Sequence, residues 1–338
     1  MTTKQKSRKN NTKSAKKKTK TKTKTKIKTK TKRKNNKTVK IVTTTASSLD
    51  KSIKKKFNVI KLKCSPKTHQ NDYTCLEDET LYKLKELWNA RHPESTIKTN
   101  DSKEIWEILT VKMNNVCNKE SCWLKQKFVD GKLDKELTNS FAPVSPKEWK
   151  KNPNEWLSST DILDVMKQYE NAYKCFDFIG PSPIDFDTKK IYGECVWEEL
   201  CHFNLEDEIK NGKFKIGIIF NTDPHNKPGS HWISLFINIK KGTIFFFDSA
   251  GDKIPKKIMA LVTRVMKQGK NLEEPINFNF DQNYPVEHQY SDTECGIYSL
   301  YFIAHMLEDK INAHYLKTHI LKDKYMEKFR KVYFNASL

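Results

Sequence analysis

The sequence predicts an α+β protein in which a central mixed or antiparallel sheet packs against one buried helix. Two neighbouring β-rich runs joined by a short turn predict the sheet, and an apolar run around residue 300 predicts the helix. Helical periodicity elsewhere indicates further helices around them. We divide the chain into a polybasic tail, residues 1–56, a helical N-terminal arm, residues 57–144, and a main domain, residues 145–338.

The tail is a lysine-rich segment of low complexity with repeated Thr-Lys pairs. It holds 23 of the 63 Lys and Arg residues but only one acid, Asp50, so the rest of the chain carries 40 basic and 40 acidic residues. Too few apolar side chains are present to offset the entropy of ordering, and we expect a disordered tail. Such a tail binds nucleic acid non-specifically or serves as a nuclear-import or packaging address, and a purely solubilising tail is the alternative.

The arm has two apolar faces at helical spacing, which indicate that it is mainly helical. The first face ends near Arg91-His92-Pro93, and the second follows a capping candidate in Asn100-Asp101-Ser102. Their members are Leu81, Leu84, Leu87 and Trp88 in the first face and Ile105, Trp106, Leu109 and Met113 in the second. Both faces require a packing partner.

The centre of the sheet is predicted from a hairpin. Apolar residues occupy every second position from Ile233 to Ile239, and a second β-rich run, residues 243–247, follows the turn at residues 240–242. His231 and Asp248 flank the open end of this hairpin. A turn centred on Lys241 would offset the two residues by about three positions, or about 10 Å of strand rise. Residues 214–220 and 276–280 are predicted as further strands.

Residues 295–307 are apolar on nearly every side, which indicates a helix buried in the centre of the domain. Ser291-Asp292-Thr293 supplies capping candidates, and Cys295 would lie in the first turn, at the positive end of the helix dipole. An amphipathic helix near residues 258–265 and one more helix after Leu307 complete the domain. Candidate packing residues in that last helix are Tyr315, Leu316, Ile320, Tyr325 and Phe329.

Four residues of the main domain form the set that a thiol hydrolase requires: His231, Asp248, Gln289 and Cys295. A cysteine attacks as the thiolate, and a free thiol with a pKa of about 8.5 is mostly protonated at neutral pH. The imidazolium of His231 and the helix start would both favour the thiolate. Asp248 would orient His231, and Gln289 with the backbone N–H of Cys295 would hold the oxyanion.

A His, an Asp and a Cys occur in this order by chance in many chains, so the spacing carries the prediction. Trp232 directly follows His231, Ser249 follows Asp248, and Gln289 stands six residues before Cys295-Gly296. This pattern resembles the ubiquitin-like-protein (SUMO) protease and adenovirus maturation protease family of cysteine proteases. The segment Trp156-Leu157 with Ile162 is similar to the opening of the same core, so the resemblance covers about residues 145–308.

The resemblance implies a papain-like, adenain-type core and a cysteine endopeptidase in which His231, Asp248 and Cys295 are catalytic and Gln289 is the oxyanion donor. It also implies that Trp156 and Trp232 enclose a Gly-Gly segment of the substrate. Flat apolar walls leave a slot that glycine can enter and larger residues cannot. An ordinary core or edge aromatic is the alternative for each tryptophan.

Two further details bear on the substrate. SUMO-specific members of the family carry Asn-Asp after Trp-Leu, whereas this chain has Ser158-Ser159, which disfavours docking of SUMO itself. The helical arm, Cys122-Trp123-Leu124 and the segment Phe178-Ile179-Gly180-Pro181 are similar to the branch of the family in large DNA viruses, including poxvirus-, asfarvirus- and mimivirus-type thiol proteases. That branch implies cleavage of viral structural precursor proteins beside glycine during virion maturation.

The same branch implies a location in the virion or in cytoplasmic viral factories, with the nucleus as the alternative. Two other functions stay open at this point. One is removal of a ubiquitin-like modifier from a conjugate. The other is a non-enzymatic virion protein whose function is nucleic-acid binding through residues 1–56.

Composition sets the remaining expectations. No apolar run follows the basic start and none approaches the roughly 18 residues of a membrane span, so we expect neither a secretory signal nor membrane contact. The eight cysteines are then expected as free thiols in a reducing compartment, with a four-thiolate zinc site at Cys64, Cys75, Cys117 and Cys122 as the weaker alternative. We expect a monomer that uses no cofactor and no metal and acts on a protein with a Gly-rich cleavage site.

Removal of residues 1–56 tests whether the tail is only an address. We expect the truncated chain to cleave short peptides at the wild-type rate. Its nucleic-acid binding should lose most of its salt dependence, because the lysines that release counterions are gone. Fluorescence anisotropy with duplex DNA at increasing salt, beside a peptide-cleavage assay, measures both properties. Loss of peptide turnover would show that the tail takes part in catalysis.

Overall fold

The computed structural model describes residues 59–67 and 71–336, so the predicted tail lies outside the described residues. The helices are α1 (Asp78–Arg91), α2 (Ser102–Met113), α3 (Glu120–Trp123), α4 (Asp134–Ser140), α5 (Ser159–Ala172), α6 (Glu198–Cys201), α7 (Leu205–Lys210), α8 (Lys256–Lys270), α9 (Cys295–Leu307), α10 (Ala313–Thr318) and α11 (Asp323–Tyr333). The strands are β1 (Phe176–Pro183), β2 (Lys215–Asn221), β3 (Trp232–Asn238), β4 (Thr243–Phe247) and β5 (Asn279–Gln282). Short 3₁₀ turns span Pro93–Ser95 and Lys147–Lys150.

The five strands form one mixed sheet in the order β1-β2-β3-β4-β5. The central strands β2, β3 and β4 are antiparallel, while β1 and β5 each run parallel to their neighbour. The α+β fold predicted from the sequence, with its helical N-terminal arm, is therefore confirmed. Ser234 pairs with Phe247, and this register sets Asp248 opposite Ile233. His231 and Asp248 are thus offset by two positions, one fewer than the turn position predicts.

The edge strand β1 is the element that the sequence pattern does not reveal. Gly180-Pro181 and Pro183 interrupt its apolar run, and prolines are tolerated only where a strand has a free edge or a bulge. The register of β1 against β2 shifts between Ile179 and Ser182, so both conditions hold here. The strand β5 begins at Asn279, later than predicted, because the N–H of Ile276 is bonded to the carbonyl of Gly269 in α8 instead.

The sheet separates two apolar cores, and α9 lies in one of them. Alternate residues of β3 face opposite sides: Phe236 packs with α9 and α5, whereas Leu235 packs with α8. Gly217 of β2 allows α9 to approach closely, because a Cβ there would lie 2.7 Å from the Ile303 side chain. As predicted, α9 is buried almost throughout its length.

The helical arm has a hydrophobic core of its own between Leu62 and Phe141, which includes both predicted apolar faces. The Asp101 side chain caps α2 by accepting from the N–H of Glu104. Asn335, just after α11, joins the arm to the main domain. Its Oδ1 accepts from the N–H of Lys63 at 2.6 Å, and its Nδ2 donates to the carbonyls of Lys63 and Ala142.

The expectation of free thiols is wrong for six of the eight cysteines. Disulfides join the pairs Cys64–Cys75, Cys117–Cys122 and Cys195–Cys201, whose Cα atoms lie 5.1, 5.8 and 6.2 Å apart. Loop conformation brings each pair within bonding distance, and sequence spacing alone does not encode that conformation. Two disulfides also leave no thiolates for the four-cysteine zinc site. Cys175 and Cys295 remain free, the first exposed and the second buried.

The single helix predicted after Leu307 is also wrong, because two short helices, α10 and α11, occupy this region. Asn312 caps α10 through the N–H of Tyr315, and the chain is extended at His319, between the two helices. Ile320 and Tyr325 are exposed, and Arg330 is buried on α11 instead. Within the described part of the chain, no helix combines the length and apolar character that crossing a membrane requires.

Candidate active site

His231 and Asp248 meet at the open end of the β3–β4 hairpin. The Nε2 atom of His231 lies 2.7 Å from Oδ1 of Asp248, whose side chain is almost completely buried. The buried side chain of Asn283 fixes the Asp248 backbone, since its Oδ1 accepts from the Asp248 N–H at 2.9 Å and its Nδ2 donates to the Asp248 carbonyl at 2.7 Å. The proximity predicted from the hairpin is therefore present in spite of the offset register.

The electrostatics of His231 are set by its two partners. Burial by itself lowers the pKa of His231, but hydrogen bonds to Asp248 and Cys295 and their negative charges outweigh burial and raise that pKa to about 10. Because Asp248 occupies Nε2, Nδ1 is the ring nitrogen left to interact with Cys295. At neutral pH the imidazolium form is favoured, so a positive charge stands beside the sulfur.

Cys295 is the first residue of α9 and is 2 % exposed. The predicted caps are wrong, because the residue before the helix is Glu294 and no side chain caps the first turn. The hydroxyl of Thr293 donates to the Glu294 carboxylate instead, and the Ser291 carbonyl accepts from Gln289. The backbone N–H groups at the start of the helix are thus not consumed by a side-chain cap.

A buried ion pair fixes the residue that precedes the nucleophile. The Glu294 carboxylate is fully buried and accepts from Nε of Arg330 at 3.0 and 2.9 Å. Arg330 also donates to the carbonyls of Glu155 and Thr293, and its guanidinium lies 4.5 Å from the centre of the Trp149 ring. One arginine of α11 therefore joins the start of α9 to the segment that carries Trp156.

Gln289 is oriented by Ser249. The Ser249 hydroxyl donates to Oε1 of Gln289 at 2.7 Å, and the Ser249 carbonyl accepts from the Gln289 N–H at 2.8 Å. One hydrogen of the Gln289 amide goes to the Ser291 carbonyl, and the amide carries a second hydrogen that can be donated to another acceptor. The loop is tied to α11 as well, because Asp323 accepts from the N–H groups of Tyr290 and Ser291, both at 3.0 Å.

Trp156 and Trp232 both line a cleft of 980 Å³. The Nε1 atom of Trp232 donates to the Leu157 carbonyl at 3.0 Å, and the Leu157 side chain packs where a Cβ on Gly296 would lie, 3.0 Å away. Leu157 therefore connects the Trp156 segment and Trp232 to the start of α9. Trp156 is 40 % exposed, so it is available to a substrate, whereas Trp232 is almost completely buried. Cys295 lies beside this cleft rather than on its open wall.

Sequence reasoning misses several residues that hold the site together. Ser249 lies inside the recognised Asp-Ser motif, and that motif was the available signal for it. Asn283, Arg330 and Asp323 give no comparable signal, because each is an ordinary polar residue far from the site along the chain. Their contacts with the site join residues that are far apart in sequence. The separation is 35 or more positions for Asn283 and Arg330 and 32 for Asp323.

The arrangement of a buried cysteine at a helix start, a cationic histidine and a buried carboxylate defines a thiol hydrolase. Residues 202–337, which include His231, Asp248 and Cys295, match the Ulp1 protease family, C-terminal catalytic domain. The chain is a cysteine-type peptidase whose residues 202–337 are similar to that catalytic domain, and the resemblance predicted from its motifs is confirmed. The alternative of a non-enzymatic binding protein is therefore wrong.

The relatives are viral proteins. Protein R355 of Acanthamoeba polyphaga mimivirus, named as a thiol protease, is 29% identical over 214 residues, which are 62% of this chain and 67% of R355. A cysteine protease of African swine fever virus is 28% identical over 258 residues, 70% of this chain and 90% of the viral protease. From another isolate the same protein carries the name SUMO-1 cysteine protease. The crystal structure of the African swine fever virus protease shares the fold, with a TM-score of 0.58 at 21% identity over 81% of this chain and 96% of that chain.

The replacement Asp248→Asn tests the electrostatics of His231. In the wild-type chain, kcat/KM on a Gly-Gly peptide should decline on the alkaline side only as the pH approaches the His231 pKa of about 10, where the imidazolium is lost. Asp248→Asn removes the charge that raises this pKa, so the decline should move to lower pH and the maximal rate should fall by about 10²-fold or more. Asp252→Asn, at an exposed position of the same loop, is the control. An unchanged alkaline limb in Asp248→Asn would contradict the role of Asp248 in holding His231 cationic.

Proposed function

We propose that this chain is a cysteine endopeptidase that cleaves viral structural precursor proteins beside glycine during virion maturation. The observation that carries the proposal is the position of His231 between Asp248 and Cys295, with Gln289 oriented nearby by Ser249. In this proposal Cys295 is the nucleophile, His231 the general acid and base, and Asp248 the residue that orients the imidazole. Gln289 and the N–H of Cys295 hold the oxyanion.

The reaction would proceed through an acyl-enzyme. The Cys295 thiolate attacks the carbonyl carbon of the glycine, and negative charge develops on the carbonyl oxygen, where the two donors stabilise it. The His231 imidazolium then gives its proton to the leaving amine, so that the peptide bond breaks and a thioester remains on Cys295. Neutral His231 next removes a proton from water, which attacks the thioester and releases the carboxylic acid and the Cys295 thiolate. The acid loses its proton to solvent, and the thiolate–imidazolium pair is restored.

The cleft walls support glycine as the residue on the acyl side. The indole of Trp232 is immobilised by its bond to the Leu157 carbonyl, and Trp156, the residue before Leu157, is bound to the core through the Glu155–Arg330 contact. A buried indole and a partly exposed one in the same cleft leave space for a chain without side chains. A substrate with a larger residue at this point would have to displace one of them.

The precursor class of substrate rests on similarity to the viral relatives. The chain matches most of the length of the African swine fever virus protease, and the match begins before the catalytic residues. We propose a main catalytic domain, residues 145–338, with an arm, residues 57–144, and the separate core between Leu62 and Phe141 supports that division. We further propose that the enzyme acts as a monomer in virions or cytoplasmic viral factories, with residues 1–56 bound non-specifically to nucleic acid.

Removal of a ubiquitin-like modifier is the second candidate function, favoured by the SUMO-1 cysteine protease name of a relative. One contact argues against SUMO itself. The Ser158 hydroxyl and the Asp161 carboxylate form a reciprocal cap at the start of α5. The position at which SUMO-specific members carry asparagine is therefore occupied here by the residue that caps the start of α5, and its side chain is already engaged.

Parallel cleavage assays with Cys295→Ala and Gln289→Ala test the proposal. We expect Cys295→Ala to abolish cleavage, because the nucleophile is gone, and Gln289→Ala to retain a measurable rate about 10²–10³-fold below wild type, because one of two oxyanion donors remains. Cys175→Ala, which removes the other free thiol, should keep the wild-type rate.

Each variant is measured on a panel of Gly-Gly peptides and on a SUMO-1 conjugate. Cleavage of peptides but not of the conjugate supports precursor processing, and the reverse supports removal of a modifier. Undiminished turnover by Cys295→Ala on either substrate would contradict both functions.

A further inference from the structure

Between β1 and α6 the chain forms a hairpin-shaped loop, residues 186–197, with two apolar side chains at its tip. Ile191 is 96% exposed and Tyr192 is 89% exposed, which makes them the most exposed large apolar side chains in the described part of the chain. A single exposed apolar residue is ordinary on a protein surface. Two adjacent ones at the end of a projecting loop indicate a binding surface.

The loop is held in shape, so the tip cannot fold back to bury these side chains. The N–H groups of Lys190 and Val196 donate to the carbonyls of Glu194 and Thr188, at 2.7 and 2.9 Å. At the base, Phe186 is buried in the core on the α8 side of the sheet, and the Cys195–Cys201 disulfide joins the returning strand to α6. A surface held in its binding conformation loses little entropy when a partner binds.

The loop is continuous with the substrate cleft. Val196 and Trp197, which complete the hairpin, line the same cleft as Trp156 and Trp232. Tyr192 precedes Trp197 by five positions, so the tip stands up to about 17 Å from the cleft wall. A peptide of a few residues bound between the tryptophans would not reach it, whereas a folded domain attached to that peptide would.

We propose that the tip of the 186–197 hairpin is an exosite that binds the folded part of the protein substrate on the amino-terminal side of the cleaved glycine. The proposal rests on the proposed function, because that function sets the Gly-Gly segment between Trp156 and Trp232. The partner surface is an apolar patch that accepts Ile191 and Tyr192. Acidic groups at its rim complement Lys189 and Lys190, which are exposed beside the tip.

Such an exosite would give the enzyme a preference for intact proteins over peptides with the same cleavage sequence. Its contacts are made equally in the bound substrate and in the transition state. Loss of the tip should therefore raise KM for proteins and leave kcat unchanged, and both constants for short peptides should be unaffected. Replacement of a residue with only a structural role would change the kinetic constants for proteins and for peptides together.

The test is the double variant Ile191→Ser/Tyr192→Ser in the full chain. The control is Val111→Ser/Val116→Ser, which removes two exposed apolar side chains from the arm. The probes are the proteins of a native extract of virus-infected host cells, which contains the viral structural precursors, and the peptides made by digesting that same extract with a lysine-specific protease. Mass spectrometry quantifies the new amino termini that follow glycine over time, and circular dichroism verifies that each variant is folded.

We expect the wild-type chain and the control to cleave sites in folded proteins about tenfold or more faster than the matching peptides at low substrate concentration. The tip variant should lose this advantage and cleave peptides as before. Equal rates for wild type and tip variant on folded proteins, or a wild type with no preference for them, would overturn the exosite. Failure of the wild type to cleave any glycine peptide would instead overturn the proposed function.

Discussion

The buried ion pair between Glu294 and Arg330 is the interaction on which the geometry of the site depends. Burial of two charges is costly and is tolerated only when their hydrogen-bonding groups are satisfied. Here the Glu294 carboxylate accepts a hydrogen bond from the guanidinium of Arg330. The remaining donors of Arg330 bind the carbonyls of Asn154, Glu155 and Thr293. Two distant segments of the chain, residues 154–155 and 293–294, therefore converge on one side chain of α11. Cys295 follows directly after Glu294, and Trp156 follows directly after Glu155, so the same contacts fix the nucleophile and one wall of the cleft.

The remaining groups of the site are fixed in the same way, by buried polar side chains that bind backbone. Asn283 holds the backbone of Asp248, and Asp323 holds the loop that carries Gln289. His231 is then left as the group that must change its protonation during turnover, and the raised pKa keeps it cationic beside the sulfur. The excess positive charge of the chain lies in residues 1–56, so the cation at the site is produced locally by Asp248 and not by the protein as a whole.

Some features of the fold and the site are encoded in local sequence, and others are not. The proximity of His231 and Asp248 could be predicted from the sequence because a hairpin has a predictable geometry. The helix α9 could be predicted because its thirteen residues carry one continuous apolar pattern. Ser249 is recognisable within its motif. The strand β1 could not be predicted, since its prolines are acceptable only at a sheet edge that the local pattern does not reveal. Arg330, Asn283 and the three disulfides depend on which distant segments become neighbours, and a periodicity in one segment does not contain that information.

In the proposed reaction, the buried Cys295, and not the exposed Cys175, is the nucleophile for a glycine-terminated acyl group. The most direct measurement is reaction of the wild-type chain with a peptide that ends in Gly-Gly and carries a thiol-reactive vinyl ester, followed by peptide mapping of the adduct. If Cys295 is the nucleophile, one adduct per chain forms on Cys295 and disappears in His231→Ala, while Cys175 stays unmodified. An adduct on Cys175, or equal labelling of Cys295 when the peptide ends in two leucines, would contradict the role of Cys295 as a nucleophile for glycine-terminated substrates.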